Sequence, residues 1–554
     1  MSALPCGLAL VLGAGLATAG VSGPRVDAAV HALGEALAAG HPLPAAALPE
    51  PDGTFRVVVE GADASALAAA IEGALGLEVE AAGGPAGAGL VQVRLSATDL
   101  PALGTLGGAV RVRLPRLPSP PALAPAAGPK REGAVETEGL AGVFAAGDWH
   151  RAGYTGRGVD IAVLDVGFLG AEALAGTELP RRLHLSGPGD DTSAHGTAVA
   201  EIIHDIAPDA RLHLRRFRTD AELVAATEAL SADGVQVLNA SVGFDNLWPS
   251  DGTSPWSVAA RDAVDAGVAW VAAAGNEGRR YIVGPLADDD GDGVYTIGGA
   301  GSFPVGPGPV WLVLRWDEPM GGATRDLRLV LRPLGGGAAQ TADAPQAGSG
   351  DPVEVLIDGT TDRTLRLTVE GPPGGPPGWA WLYTGGAWPE GMATPGAPSL
   401  TQPADAAGAV AVGACDAVAG TVPAWASQGP TEDGRLKPDL CAPTGVSTAS
   451  FGPGAFGGSS AAAPHVAGAL ALLAEATGWA DPLALRAAAW SLAVDQPPDG
   501  PDRQTGYGAL ALGPPPPRCA CAAPAASPPL GWAALLASFA LSRRRRLARP
   551  RQSR

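Results

Sequence analysis

Lysine is almost missing: Lys130 and Lys437 are the only two in 554 residues, and arginine supplies the rest of the basic charge. Lysine and arginine together number 37 against 56 aspartates and glutamates, a formal net charge of −19. Such acidity gives no footprint for nucleic-acid binding, and none is expected. Cysteine is also sparse. Cys6, Cys415, Cys441, Cys519 and Cys521 form no cluster with histidine at zinc-ligand spacing, which argues against zinc chemistry. The apolar C-terminal stretch from Leu530 to Leu541 falls short of the about 20 residues that span a bilayer. What remains is 46% hydrophobic and 17% charged, which excludes wholesale disorder, and the length implies two or three folded units.

Four short motifs carry chemistry: VLDVG (163–167), SAHGTAVA (193–200), AAAGNEG (272–278) and GGSSAAAPHVAG (457–468). A serine hydroxyl is too weakly acidic to attack an amide at neutral pH unless an imidazole takes its proton and later returns it. His195 is the candidate base, since an unperturbed histidine pKa of about 6.5 permits both transfers near neutrality. Asp165 is the candidate carboxylate that fixes its tautomer. The side-chain amide of Asn276 and the backbone N–H of Ser460 are candidate donors to an oxyanion.

These motifs, in the order Asp, His, Asn, Ser, resemble those of the subtilases, the subtilisin-like serine peptidases. VLNASVG (237–243) is similar to the substrate-binding strand of that family, SQGPTEDGRLKPDLCAP (427–443) precedes the serine motif, and GYGAL (506–510) resembles the close of the domain. The resemblance covers roughly 145–279 and 400–512. It implies a substrate-binding edge made by Ser241, Val242, Gly243, Ala274 and Gly275, chemistry that requires no cofactor, and protein or peptide substrates. Departures from the pattern are Ser459 in place of Thr, Ala198 in place of a second His, and VGF after Asp165. Either adjacent serine is eligible as nucleophile; counting back from Pro464-His465 favours Ser460. His204, His213 and His465 read as structural, and His31, His41, His150 and His184 carry no signal.

Apolar runs at 159–166, 210–217, 235–242, 267–275 and 409–415 alternate with helical patterns near 195–206, 220–232 and 254–266. That alternation predicts an α/β fold with a parallel sheet flanked by helices. Asp165, Ser241 and Asn276 then fall at the C-terminal strand ends, where such sheets build their sites. Ser460 is expected to open an apolar helix over 460–476, with Pro464 in its first turn, and to lie in the positive field of that helix end.

Around this catalytic part, 145–280 and 400–513, the sequence divides further. Residues 1–19 read as a signal peptide ending in Ala17-Thr18-Ala19. Residues 20–114 read as a small α+β unit with a β-α-β-α-β pattern, similar to the propeptides that accompany subtilases, assist their folding and block the cleft until cleaved. A Pro-rich linker, 115–144, follows. Residues 281–399 alternate as antiparallel strands and predict an inserted all-β sandwich near the cleft. At its start Asp288, Asp290 and Asp292 precede Gly293 at the alternating spacing of calcium loops, without the twelfth-position glutamate. A structural calcium site and a solvated acidic turn both fit that pattern. The tail, 514–554, orders cysteines, a short apolar segment and Arg543 to Arg546, resembling bacterial surface-sorting tails of the myxobacterial type; a short uncut membrane anchor is the alternative. Either tail implies export to the medium or the outer surface of a bacterium, and engages the membrane or sorting machinery. Cys415 and Cys441 suit a disulfide in an oxidising compartment or two buried free thiols, with the thiols favoured. A monomeric serine endopeptidase is expected. The rivals are an esterase, for which Ala461 spoils G-x-S-x-G, and a surface-binding protein on a peptidase-like scaffold.

Overall fold

The computed structural model describes residues 25–27, 30, 48–50, 52–119, 135–141, 144–189, 192–346, 348, 350–416, 421–478 and 481–518. The signal-peptide reading and most of the tail lie outside these residues. Among the described residues no helix is long and apolar enough to cross a membrane.

The central sheet has nine strands: β1 (Asp160–Asp165), β2 (His184–Ser186), β3 (Arg211–Arg216), β4 (Val237–Ala240), β5 (Ala269–Ala273), β6 (Val410–Asp416), β7 (Leu440–Thr444), β8 (Ala493–Val494) and β9 (Ala509–Leu510). Their order is β8-β9-β7-β6-β5-β4-β1-β3-β2, and only β8 against β9 is antiparallel. Side chains alternate across a strand, and the central strands β1, β4, β5 and β6 bury both faces. Ile161, Val163, Val237, Val271 and Val412 face a core shared with helices α1 (His195–Ile206), α4 (Ser459–Thr477) and α5 (Pro482–Leu492). Ala162, Leu164, Leu238, Trp270 and Ala411 face the opposite core, shared with α2 (Asp220–Ala232) and α3 (Pro255–Asp265). The predicted three-layer α/β architecture is therefore present.

Helix α4 runs through the molecule almost fully buried. It begins at Ser459, one residue earlier than the sequence pattern suggests, so Pro464 sits in the second turn instead of the first. A proline there has no N–H to give the carbonyl four residues back. That carbonyl belongs to Ser460, and the Ser241 hydroxyl donates to it at 3.2 Å.

The N-terminal unit forms a five-stranded sheet. Phe55–Gly61, Gly89–Leu95 and Ala109–Arg113 are the expected strands; Arg25–Val26 and Glu78–Gly83 are additional edges. The second edge is rich in Ala and Glu, residues with little strand preference. Its small Ala and Gly residues let α2 approach: a side chain on Gly83 would meet the Ala225 Cα at 3.0 Å. Gln92 and Thr219 fix this contact, with Gln92 Nε2 donating to Glu222 Oε1 at 2.8 Å and Thr219 Oγ1 to Gln92 Oε1 at 2.6 Å.

In the inserted part the strands between Tyr281 and Thr384 form one continuous antiparallel sheet, where the sequence suggested a sandwich of two. Pairing is unbroken through Leu286↔Ile297 and Tyr295↔Val369, so the sheet is bent double over its own core. Leu312, Leu314, Ala380 and Leu382 point into that core. Their alternate neighbours Tyr281, Val313 and Tyr383 belong instead to the core of the catalytic part.

Cys415 and Cys441 are joined by a disulfide. The alternative of two free thiols is overturned by register: Gly413 pairs with Cys441, so Cys415 lies two residues along on the same face, with Cα atoms 5.7 Å apart. Nearby, buried Lys437 donates to Asp439 Oδ2 at 2.6 Å and to the Ala409 carbonyl at 2.7 Å, tying β7 to the start of β6. Burial holds its ammonium below the ordinary lysine range despite that partner. Closing a 26-residue separation removes unfolded-state entropy worth about 3 to 4 kcal/mol. Replacing both cysteines by alanine is expected to lower the midpoint of thermal unfolding, and reductant is expected to lower it in the parent chain but not in the double variant.

Candidate active site

Asp165 ends β1, and the first turn of α1 brings His195 against it. His195 Nδ1 and Asp165 Oδ2 are 2.8 Å apart, and both side chains are buried. Glycine permits this approach: a Cβ on Gly196 would meet Asp165 Cβ at 2.7 Å and the Phe168 ring at 2.6 Å. The second oxygen, Asp165 Oδ1, accepts the Val166 N–H at 2.8 Å, which fixes the carboxylate plane. The edge of Phe456 covers the imidazole, with ring centroids 5.4 Å apart. With Nδ1 committed to the carboxylate, Nε2 is the ring atom left for exchange.

Ser459 and Ser460, adjacent in sequence, have different surroundings. The Ser459 hydroxyl accepts the Gly275 N–H at 2.9 Å and donates to Asn276 Oδ1 at 3.3 Å. Ser459 N–H also donates to Asn276 Oδ1, at 2.8 Å, which settles which end of that amide carries the N–H groups. The Ser460 hydroxyl instead donates to the Ser241 carbonyl at 2.9 Å, reciprocating the bond that Ser241 makes to it. Ser459 is thus bound into the frame around Asn276, whereas Ser460 is tied to Ser241.

That cleft, about 520 Å³ including its open mouth, is lined by His195, Ser241, Val242, Gly243, Gly275, Asn276, Gly457, Ser459 and Ser460 among others. Of the residues singled out in the sequence, Asp165 lies behind His195, and Ala274 is not at the cleft at all. Ala274 is fully buried, its N–H given to Val412 and its carbonyl taken by Thr401; Ala273 lines the wall in its place.

Sequence reasoning missed the polar floor. Asp245 and Glu277 line the cleft side by side with Thr401. Thr401 Oγ1 donates to Asp245 Oδ1 at 2.6 Å, Tyr383 of the inserted sheet reaches Asp245 Oδ2 at 3.5 Å, and Arg280 lies 3.0 Å from Glu277. Burial, then the charge of Asp245, pushes the Glu277 carboxyl up to about 8, and burial raises Asp245 as well. The only hint was position: Asp245 follows the substrate-like strand by two residues. A second surprise is Ser119, from the linker, which lines the same cleft and donates its N–H to the Gly243 carbonyl at 2.8 Å.

The carboxylates of Asp288, Asp290 and Asp292 converge, with one oxygen of each within 4.8 Å of the others. They lie in the hairpin between Tyr281–Ala287 and Val294–Ile297. Asp288 already accepts N–H groups from Gly291, Gly293 and Gly374, and these hold its pKa below the usual carboxylate range. Oxygen donors of this kind suit a hard cation such as calcium, at the expense of those loop bonds.

Comparison with known proteins gives a consistent picture. A family model described as the subtilase family matches residues 156–302 and 391–508, leaving out most of the inserted sheet. Among solved structures, the CspB protease of Clostridium perfringens is similar with TM-score 0.46 and 19% identity, over 66% of this chain and 94% of that one. The epidermin leader peptide processing serine protease EpiP of Staphylococcus aureus, as its S393A mutant, gives TM-score 0.46 and 12% identity over 83% and 98%. MycP1 from the ESX-1 type VII secretion system gives 0.39 and 16% over 74% and 92%. The two matched segments, which hold Asp165, His195, Asn276 and Ser460, resemble the subtilase family.

Proposed function

We propose that this chain is an exported serine endopeptidase that cleaves peptide bonds through an acyl-enzyme. The observation that carries the proposal is the convergence of His195, Asn276 and Ser460 on one cleft, with His195 bonded to buried Asp165. In this reading the Ser460 hydroxyl turns from the Ser241 carbonyl toward His195 Nε2. It attacks the scissile carbonyl as the imidazole takes its proton, and Asp165 stabilises the imidazolium. The oxyanion meets the Asn276 amide and the Ser460 N–H at the positive end of α4. The imidazolium then protonates the leaving amine, and water, activated by the same ring, releases the acid and regenerates the hydroxyl.

The substrates in this proposal are proteins or peptides, held along Ser241 to Gly243. The N-terminal unit restrains the cleft until it is cut away, as the Ser119 to Gly243 bond supports. The chain acts as a monomer outside the cell, after removal of residues 1–19 and handling of the tail by the sorting machinery; product recovered from the medium then begins at Gly20 or beyond Ser119. Asp288, Asp290 and Asp292 hold a structural calcium with no part in the chemistry.

Replacing Ser460 by alanine is expected to abolish casein hydrolysis and labelling by a serine-directed phosphonate, whereas Ser459→Ala retains labelling; the reverse pattern assigns the wrong serine. In the same assay Asn276→Leu is expected to lower kcat by about 10²–10³-fold, the size found when one such donor is removed from subtilisin. An unchanged kcat removes Asn276 from the oxyanion site. EDTA is expected to lower the thermal midpoint of the parent chain and to leave that of Asp290→Asn where it was.

A further inference from the structure

The linker that enters the cleft is seated through an arginine. Arg116, three residues before Ser119, exchanges backbone hydrogen bonds with the first residue of α2: its N–H donates to Asp220 Oδ1 and its carbonyl accepts the Asp220 N–H, each at 3.0 Å. Its guanidinium lies over two indoles, 5.0 Å from the Trp248 ring centroid and 5.6 Å from that of Trp256. One end of the fork meets Asp351 Oδ2 at 2.5 Å, and the other lies 3.8 Å from Asp220 Oδ2. Asp351 comes from the inserted sheet and is held for this task by the Gly321 N–H at 2.8 Å. The same two carboxylates also receive Arg113 and Arg111 of the N-terminal unit, at 2.6 and 2.9 Å.

Trp248, Trp256, Asp220 and Asp351, which meet the Arg116 side chain, belong to the catalytic part or its insertion, while Glu60 and Arg113 of the N-terminal unit act on it through charge. When the N-terminal segment through Ser119 leaves, taking Arg111, Arg113 and Arg116 with it, two carboxylates and an aromatic face stay behind without their cations. Aromatic faces combined with fixed carboxylates are the environment that selects a guanidinium over a neutral side chain or a compact ammonium. From this we infer that Trp248, Trp256, Asp220 and Asp351 form a substrate subsite for arginine, and that the preferred substrates are extended peptides with an arginine three residues before the one bonded to Gly243. The inference rests on the cleft being that of a peptidase, and it gives the insertion a role in choosing substrate through Asp351.

The test uses the full chain, folded intact and then cut beyond Ser119 at an inserted protease site so that Arg111, Arg113 and Arg116 leave together, and two peptides: acetyl-Arg-Leu-Pro-Ser-amide, with the sequence of residues 116–119, and the same peptide with citrulline, the neutral isostere of arginine. Calorimetry is expected to show the arginine peptide binding about tenfold or more tightly than the citrulline peptide. Adding Asp351→Asn is expected to narrow that ratio to about threefold or less. Because the citrulline comparison changes only the ligand, it stands even if a protein variant is unstable. Equal binding of the two peptides, or binding of neither, overturns the subsite. Hydrolysis is measured separately on fluorogenic peptides with arginine moved along the sequence. A chain that discriminates the two peptides yet cleaves nothing keeps the subsite and loses the peptidase reading; cleavage indifferent to arginine at every position does the opposite.

Discussion

The site depends on how β4 is tied to α4. Pro464 deprives the Ser460 carbonyl of its helical partner, and a buried carbonyl left unpaired costs about 1–3 kcal/mol. The Ser241 hydroxyl meets that need, Asn239 donates to the same hydroxyl at 2.9 Å, and Ser460 answers through its own side chain. A defect in a helix thereby becomes a cross-link to the end of a strand. It sets the height of Ser460 above the sheet, and with it the spacing between the serine, the Ser241 to Gly243 edge and Asn276.

The second constraint is electrostatic. Two carboxyls, Asp245 and Glu277, are buried together beside this frame with one guanidinium, Arg280, and the Tyr383 hydroxyl. Two adjacent buried carboxylates resist joint ionisation, and burial raises both Glu277 and Asp245. The floor of the cleft is therefore polar but sparingly charged, and its charge is set partly by a residue from the insertion. Farther along, Arg116 meets Asp351, whose carboxyl the neighbouring arginines hold well below the usual range in spite of its burial.

What the sequence disclosed follows from how narrowly chemistry limits choice. Asp165, His195, Asn276 and Ser460 are legible as a constellation because few residue types suit the proposed chemistry and because their order is distinctive. The parallel sheet is legible because strands buried on both faces read as runs of Val, Ala and Leu. Partners created by register were hidden: nothing in the chain states that Gly413 faces Cys441, and so the disulfide was underestimated. Asp245 and Arg116 were hidden for a related reason. An aspartate after a strand and an arginine in a Pro-rich stretch look like surface until the fold buries them. Glu78–Gly83 escaped because its small residues serve the packing of α2, not strand preference.

The bent sheet between Tyr281 and Thr384 uses its two sides for different bodies. Leu312, Leu314 and Leu382 close its own interior, while Tyr281, Val313 and Tyr383 are part of the same apolar mass as Phe244 and Trp256. An appendage joined only by its two ends would be free to swivel; this one shares a wall with its host. The insertion is therefore packed into the catalytic part as well as tethered to it, and its inner face cannot be stripped away without opening the core around Phe244 and Trp256.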